Sequence, residues 1–320
     1  MRGIARVSGV EMFIVVALNV LLDSLLGCTS GGVLVRGKRK VGNGEEIQGL
    51  KMMHFRTLDW GMDGLRNLLV TLEFVRSKSR EPERVIARSI PYAGFVGVLT
   101  GVRQDLSVSL NFRPVHYCST VSLRAHQLLV PLGFRPSIAS HLRSALFPPN
   151  KNTPIPDLFQ SVKTLQAIKS SPCYLILCSG TKTTVIERDL STSKLRTSTQ
   201  FIVHTNHDQE IPSFVPQTIK HSPVGLNFWI EDSEYRAECV ATKWAAVKTK
   251  HENKQKYEPA LKDVRPSIVM DTLISWVKTY PVMNETSHFG CVMDPSTGGI
   301  VMLERDGFKK HRPNGVLSMN

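Results

Sequence analysis

The sequence has no Cys-x-x-Cys pair, no His-Glu-x-x-His motif and no other run with the spacing of metal ligands, so no metal or cofactor is expected. Cysteine is sparse, with six in 320 residues, which is not the density of a disulfide scaffold. Cys173 and Cys178 lie five apart in the apolar run CYLILC. On a strand that odd spacing places them on opposite faces, so they should not bond to each other. Long apolar runs are also missing. The stretch from Met12 to Leu26 is broken by Asn19 and Asp23 and falls short of the ~20 residues that a membrane-crossing helix needs. Acidic residues are in deficit, 27 against 40 basic ones, for a net charge of +13. No zinc-finger, RRM-like or helix-turn-helix signature accompanies that charge, which argues against a nucleic-acid partner. The basic runs at Arg36 to Lys40, Lys248 to Lys256 and Phe308 to Pro313 read as solvated faces, or as a means of contacting an anionic membrane surface. What remains, 42% apolar and 21% charged residues, is the composition of a globular protein able to bury a full core.

Periodicity sets out the elements. Leu68 to Phe74, Leu106 to Phe112, Cys173 to Cys178, Thr183 to Leu190 and Thr199 to Asn206 read as strands. Glycines in YAGFVGVLTG, Tyr92 to Gly101, suggest a strand with close backbone approach and then a turn. One or two helices fit Thr120 to Phe147, broken near Pro131 and Pro136, and another fits the stripe Leu158, Val162, Leu165 and Ile168. His207 to Pro223 reads as a long loop. Asp232 to Lys250 and Ser267 to Lys278 look helical, and two last strands fit His288 to Met293 and Gly299 to Glu304. With no internal repeat and no clear linker, strands in both halves and helices between them indicate one α+β domain of stacked layers.

The amino terminus allows two interpretations. Arg2 and Arg6 ahead of an apolar run that ends in LLGC have the layout of a secretory signal. Leu18, Leu21, Leu22, Leu25 and Leu26 instead mark one face of an amphipathic helix. Cys28 follows, in GCTSGG, and three roles compete for it: a lipid-attachment site, a core cysteine, or a nucleophile created by cutting Gly27–Cys28. The third has a definite chemistry. A freed Cys28 carries a thiol and an α-amine, whose ordinary pKa values are about 8.5 and 7.7–8.0, so one residue supplies nucleophile and base together. The small neighbours Thr29, Ser30, Gly31 and Gly32 suit an accessible nucleophile on a strand. Such a residue needs an anion for the amine, a cation for the thiolate and donors for the oxyanion. HFRTLDWG offers Arg56 and Asp59, which taken alone read as a surface ion pair. HTNHD offers Asn206, which is either a strand-end cap or an amide aimed at an oxyanion, where one donor is worth roughly 3–4 kcal/mol.

Taken together and in order, CTS at Cys28, RTLDWG at Arg56, YAGFVGVLTG followed by LSVSLNFRP, VHTNHD at Asn206, EDSEYRAEC around Arg236, and the tail from Met270 to Arg305 resemble the acid ceramidase and N-acylethanolamine acid amidase family of N-terminal nucleophile hydrolases. The resemblance runs from about Gly9 to Asp306. It implies a four-layer αββα sandwich, and self-cleavage that divides the chain into a pro-piece, residues 1–27, and a catalytic part, residues 28–320, held together as an α/β heterodimer. It implies amidohydrolase activity on N-acyl lipids, either ceramide or N-acylethanolamine, through an acyl-thioester on Cys28. It also implies that Arg56 and Asp59 orient the nucleophile and its amine, that Asn206 donates to the oxyanion, that Arg236 supports the site, and that Asn111 lies on a substrate-binding strand. Phe112 departs from the family, where glutamate is frequent. The segment before Cys28 is short for the family, so an inactive or membrane-associated lipid-binding remnant of the same fold is the alternative. The resemblance implies a lysosome-like or secreted location, while the lack of a clear signal peptide leaves a cytoplasmic one open.

Overall fold

The structure, a computed structural model, describes residues 1–21, 27–40, 46–147, 154–209, 226–258 and 264–305. Two antiparallel sheets form its centre. The first contains β1 (Gly27–Lys40), β2 (Glu46–Asp59), β10 (Phe201–His204), β11 (Ser287–Asp294) and β12 (Gly299–Arg305), in the order β10-β1-β2-β11-β12. The second runs in chain order through β3 (Leu72–Val75), β4 (Val85–Ser89), β5 (Thr100–Arg103), β6 (Leu106–Phe112), β7 (Cys173–Cys178), β8 (Thr183–Arg188) and β9 (Ser193–Ser198).

Alternation along β1 and β2 decides which side chains meet which layer. Val33, Val35, Met53 and Phe55 point outward and pack with Val240 and Trp244 of α6 (Leu226–Tyr257) and with Leu273, Trp276 and Val277 of α7 (Met270–Lys278). On the far side, Val108, Leu110, Leu175, Leu177 and Ile186 cover α4 (Ile138–Leu146) and α5 (Leu158–Ala167) through Leu142, Ala145, Leu158 and Leu165. The layers are therefore helix, sheet, sheet, helix, the αββα arrangement expected.

The space between the sheets is unusually polar. Ser30 donates to Asn111 Oδ1 at 2.7 Å, and His54 sits between the hydroxyls of Ser107 and Ser109 at 2.8 and 2.9 Å. Burial, with the Arg56 charge adding to it, holds the His54 pKa down to about 3, so this imidazole is a neutral bridge and no base. Two glycines of β1 permit the stacking. A Cβ at Gly31 would lie 2.2 Å from the Ile202 carbonyl oxygen, and one at Gly32 would lie 1.9 Å from Thr183 Oγ1. The expectation that small neighbours keep Cys28 accessible therefore does not hold. Cys28 is fully buried, and the glycines let β10 and the second sheet come close.

The remaining differences have local causes. Of the expected strand at 68–74 only 72–74 forms, as part of Leu72–Val75, because residues 63–68 make a 3-10 turn and Leu69, out of phase with Leu68, takes the buried position. In Tyr92 to Gly101 the strand starts only at Thr100, after turns that include Gly94 at φ +90°. The helix expected from 232 spans Leu226–Tyr257, and most of the expected loop at 207–223 lies outside the described residues. β4 and the polar β9 carry no clear alternation and escaped the sequence pattern. Cys173 and Cys178 are both unbonded, as expected.

At the amino terminus, α1 (Arg2–Ser8) and α2 (Met12–Leu21) precede the strands, while Leu22, Leu25 and Leu26 of the expected apolar face lie outside the described residues. Asn19, which interrupts the apolar run, has a purpose. Its amide donates to the Val15 and Gly94 carbonyls at 2.8 and 3.0 Å, and its Oδ1 accepts from the Val96 N–H at 2.8 Å. That docks α2 on the Gly94–Val96 turn, with Leu18 against the core. No helix among the described residues is long and apolar enough to cross a membrane.

Candidate active site

Strand register brings two distant segments to Cys28. β1 pairs with β2 so that Gly27 faces Asp59 and Ser30 faces Arg56, and with β10 so that Ser30 faces His204. Carrying the second register two residues further places Asn206 beside Cys28, and the Cys28 N–H donates to Asn206 Oδ1 at 2.7 Å.

Arg56 and Asp59 are three apart on one strand, which sends them to opposite faces. They are no surface ion pair. Arg56 points between the sheets, where Nη2 lies 3.3 Å from Cys28 Sγ and Nη1 donates to the Leu110 carbonyl at 2.7 Å. Asp59 points toward α6, accepting from the Ser287 hydroxyl through Oδ1. Its Oδ2 lies 3.6 Å from Arg236 Nη1 and has no hydrogen-bond partner. The sheet thus separates two environments: the thiol lies with a guanidinium on the inner side, and the Gly27–Cys28 backbone lies against a carboxylate on the outer side.

Arg236 occupies the centre of the outer side. Its Nη1 donates to the Cys28 carbonyl at 2.7 Å and to Thr29 Oγ1 at 2.9 Å. Its Nη2 donates to Asn206 Oδ1 at 3.1 Å, and Nε pairs with Asp232.

Asn206 Oδ1 thus faces two donors, while Nδ2 donates to the Phe112 carbonyl at 2.8 Å. Partners of those kinds fix which end of the amide is which. In the uncut chain Asn206 presents its oxygen to Cys28, and its NH2 is engaged elsewhere, so the expected donation to an oxyanion is not the arrangement here. Asn111 is fully buried, with Nδ2 donating to the His204 and Thr205 carbonyls at 3.1 Å each and Oδ1 accepting from Ser30 and Arg56. Its side chain braces the two sheets.

Sequence inspection missed Ser233 and Ser287. Ser233 donates its hydroxyl to Thr205 Oγ1 and accepts from the Asn206 N–H at 2.7 Å. It lies three residues before Arg236, the helical spacing that puts both on one face and was legible in EDSEYRAEC. Ser287, in NETSHFG, had no local signal, because its partner Asp59 comes from β2.

Burial pushes the Cys28 thiol up, with the Asp59 charge adding to the rise and Arg56 and Arg236 opposing it. The uncut protein therefore holds a neutral thiol beside a fixed cation. Burial also lifts the Asp59 carboxyl to about 6, against the opposing pull of Arg236. A folded-state pKa above the ordinary 3.8 means that the folded chain binds this proton more tightly than the unfolded one. The cost of ionising Asp59 is absent below pH 3.8 and fully present above about 6, so stability should fall by about 3 kcal/mol as pH rises across that window. Urea melts of Cys28→Ala from pH 3.5 to 7 should show this fall, and Cys28→Ala/Asp59→Asn should lack it. Parallel profiles for the two proteins would contradict the assignment.

Beside the site opens a cleft of about 480 Å³ whose walls include Val20, Phe112, Arg113, His116, Leu123 and Arg124. Phe112 links the two, since its carbonyl is the acceptor for Asn206. Among the described residues no three His, Cys, Asp or Glu side chains are grouped to hold a metal ion.

No family model matches the chain. It is similar to the acid ceramidase of Rattus norvegicus, with 29% identity over 122 residues, covering 35% of this chain and 28% of that protein. The match thus spans under a third of the curated relative's length. Among solved structures the chain is similar to the N-acylethanolamine-hydrolyzing acid amidase ortholog of Caenorhabditis elegans, with a TM-score of 0.52 over 83% of this chain and 93% of that one, at 20% identity. The two share a fold. Both proteins carry the names of the family that the ordered motifs resemble.

Proposed function

We propose that the protein is a cysteine N-terminal nucleophile amidohydrolase of N-acyl lipids, released from an uncut precursor by cleavage at Gly27–Cys28. The observation that carries it is the arrangement at Cys28: Arg56 at the sulfur, and Asn206, Arg236 and Asp59 at the backbone. Cys28 is fully buried in the uncut chain, so turnover requires that cleavage first expose it.

In the first step Sγ attacks the Gly27 carbonyl carbon, and the C–N bond to Cys28 breaks. The thiol proton passes to the departing nitrogen, which Asn206 Oδ1 holds. A thioester joins Gly27 to the sulfur, and water hydrolyses it to leave a carboxylate on Gly27 and a free thiol and amine on Cys28. The new ammonium lies against Asp59, whose Oδ2 has no hydrogen-bond partner before the cut. Its positive charge offsets the burial that disfavours the ionised carboxyl. Residues 1–27 remain attached through the Asn19 contacts and Leu18, giving a heterodimer with residues 28–320.

Turnover repeats the chemistry on an external amide. The Cys28 amine takes the thiol proton and the sulfur attacks the acyl carbonyl next to the Arg56 cation. The amine then returns the proton to the leaving nitrogen, and water hydrolyses the acyl-thioester. Relatives named for ceramide and N-acylethanolamine hydrolysis support the N-acyl lipid class. The test offers cleaved protein a ceramide and an N-acylethanolamine of the same acyl chain, with acid quenching to trap the thioester. Free fatty acid, with an acyl mass on the fragment that begins at Cys28, is expected. A cleaved, folded sample that hydrolyses neither lipid and carries no acyl group favours the lipid-binding remnant instead.

A further inference from the structure

Asn206 lies two residues beyond the last strand residue of β10, outside the ladder that would fix its aim, and yet its amide must meet the Cys28 nitrogen. Ser233 and Arg236 hold it from the side of α6, and a second set of contacts holds the chain around it from the end of β6. Two residues further on, Asp208 receives a bidentate pair from Arg113, Nε to Oδ1 at 2.8 Å and Nη2 to Oδ2 at 2.6 Å, with Arg113 buried and Asp208 partly buried. The Tyr174 hydroxyl donates to Oδ1 at 2.7 Å and the Tyr117 hydroxyl to Oδ2 at 3.0 Å. The guanidinium also lies 5.4 Å from the centroid of the Tyr117 ring and 5.6 Å from that of Tyr174, within cation–π range.

Arg113 follows Phe112 directly, and Phe112 is the residue whose carbonyl accepts from Asn206 Nδ2. The end of β6 and the chain beyond β10 are thus joined at two adjacent rungs, Asn206 to Phe112 and Asp208 to Arg113. The planar fork of arginine on a carboxylate sets direction as well as distance. With both rungs in place, the backbone that carries Asn206 cannot shift away from the end of β6 without breaking the Arg113–Asp208 pair.

We propose that Arg113 and Asp208 are positioning residues for the hydrolytic site, aiming the Asn206 amide and through it the Cys28 amine, without themselves touching a substrate. The inference rests on the assignment of Cys28 as nucleophile. Under that assignment the pair matters after cleavage too, because Asn206 Oδ1 then accepts from the α-ammonium. Such an acceptor favours the charged form of the amine and raises its pKa. A loosened bracket lowers that pKa, so the free base forms at lower pH while its alignment with the thiol is lost.

The variants are Arg113→Lys, which keeps the charge and loses the fork, Asp208→Asn, which keeps the shape and loses the charge, and the milder Tyr117→Phe, which removes one hydroxyl and covers failure of the others to fold. With an N-acyl amide substrate, Arg113→Lys and Asp208→Asn should lower kcat by ~10- to 100-fold with KM within about twofold, and should move the acidic limb of kcat/KM to lower pH. Tyr117→Phe should do the same to a smaller extent. A second measurement does not depend on activity. In uncleavable Cys28→Ala, amide hydrogen exchange at residue 28 should speed up on adding Arg113→Lys or Asp208→Asn while exchange at β7 stays protected. Unchanged exchange at residue 28 overturns the positioning role, as does a loss of kcat that tracks global stability with an unmoved pH limb. If the wild type itself neither cuts nor turns over while the exchange result holds, the bracket stands and the hydrolase assignment fails.

Discussion

Cys28→Ala should give a folded chain that never cuts at Gly27–Cys28 and turns over no N-acyl lipid, a loss on the order of 10⁴-fold or more in rate. The size follows from how much depends on one residue. Its sulfur is the attacking atom in both reactions, and its nitrogen is the leaving group of the first and the base of the second. The substitution should fold, because the site is bounded by Arg56, Leu110 and Asn206, none of which needs the sulfur for its other contacts. Cys28→Ser separates the two roles of the thiol. A hydroxyl beside Arg56 should still attack Gly27, but slowly, because it is the weaker nucleophile. Intact mass over days would show partial cutting in Cys28→Ser and none in Cys28→Ala. Wild-type turnover in Cys28→Ala would remove the basis of the mechanism.

Arg236→Met should have the largest effect on stability. Its guanidinium is fully buried, lies 3.6 Å from Asp59 Oδ2 and donates to Cys28, Thr29 and Asn206. Removing it leaves a buried carboxylate without its cation, a defect that costs about 3–5 kcal/mol. Asp59→Asn removes the charge that needs compensation, so Arg236→Met/Asp59→Asn should recover much of that stability. The coupling between the two sites should exceed ~1 kcal/mol. Recovery should not extend to activity, since the double variant has no anion for the Cys28 amine and no donor on the Cys28 carbonyl. Urea denaturation of the four proteins, each built on Cys28→Ala so that all stay uncut, measures the coupling. Additive effects would show that Arg236 and Asp59 are independent.

Much of the fold could be read from the chain because several elements carry their own signal, whereas the candidate site residues came only from motifs taken in order. LSVSLNF alternates cleanly and forms β6 at the residues expected, and Pro131 and Pro136 separate α3 (Thr120–Leu129) from α4 as expected. Local pattern could not say what lies behind the alternation. Ser107, Ser109 and Asn111 look like a solvent face, yet all three are buried against the other sheet, because their partners His54 and Ser30 come from strands far away in sequence. Asn206 shows the same limit at the level of one group. Its nearness to Cys28 follows from ordered motifs, but which end of the amide faces Cys28 depends on Arg236 and Phe112, which only the folded chain brings together. Leu68 to Phe74 failed for the opposite reason: an alternating pattern was overridden by a 3-10 turn that seats Leu69.

The most direct measurement is the mass and amino-terminal residue of the purified, active protein. Protein that hydrolyses an N-acyl lipid should consist of two associated fragments, the larger beginning at Cys28, and its activity should rise in step with that fragment. Full activity from a sample in which the Gly27–Cys28 bond is intact would contradict the account.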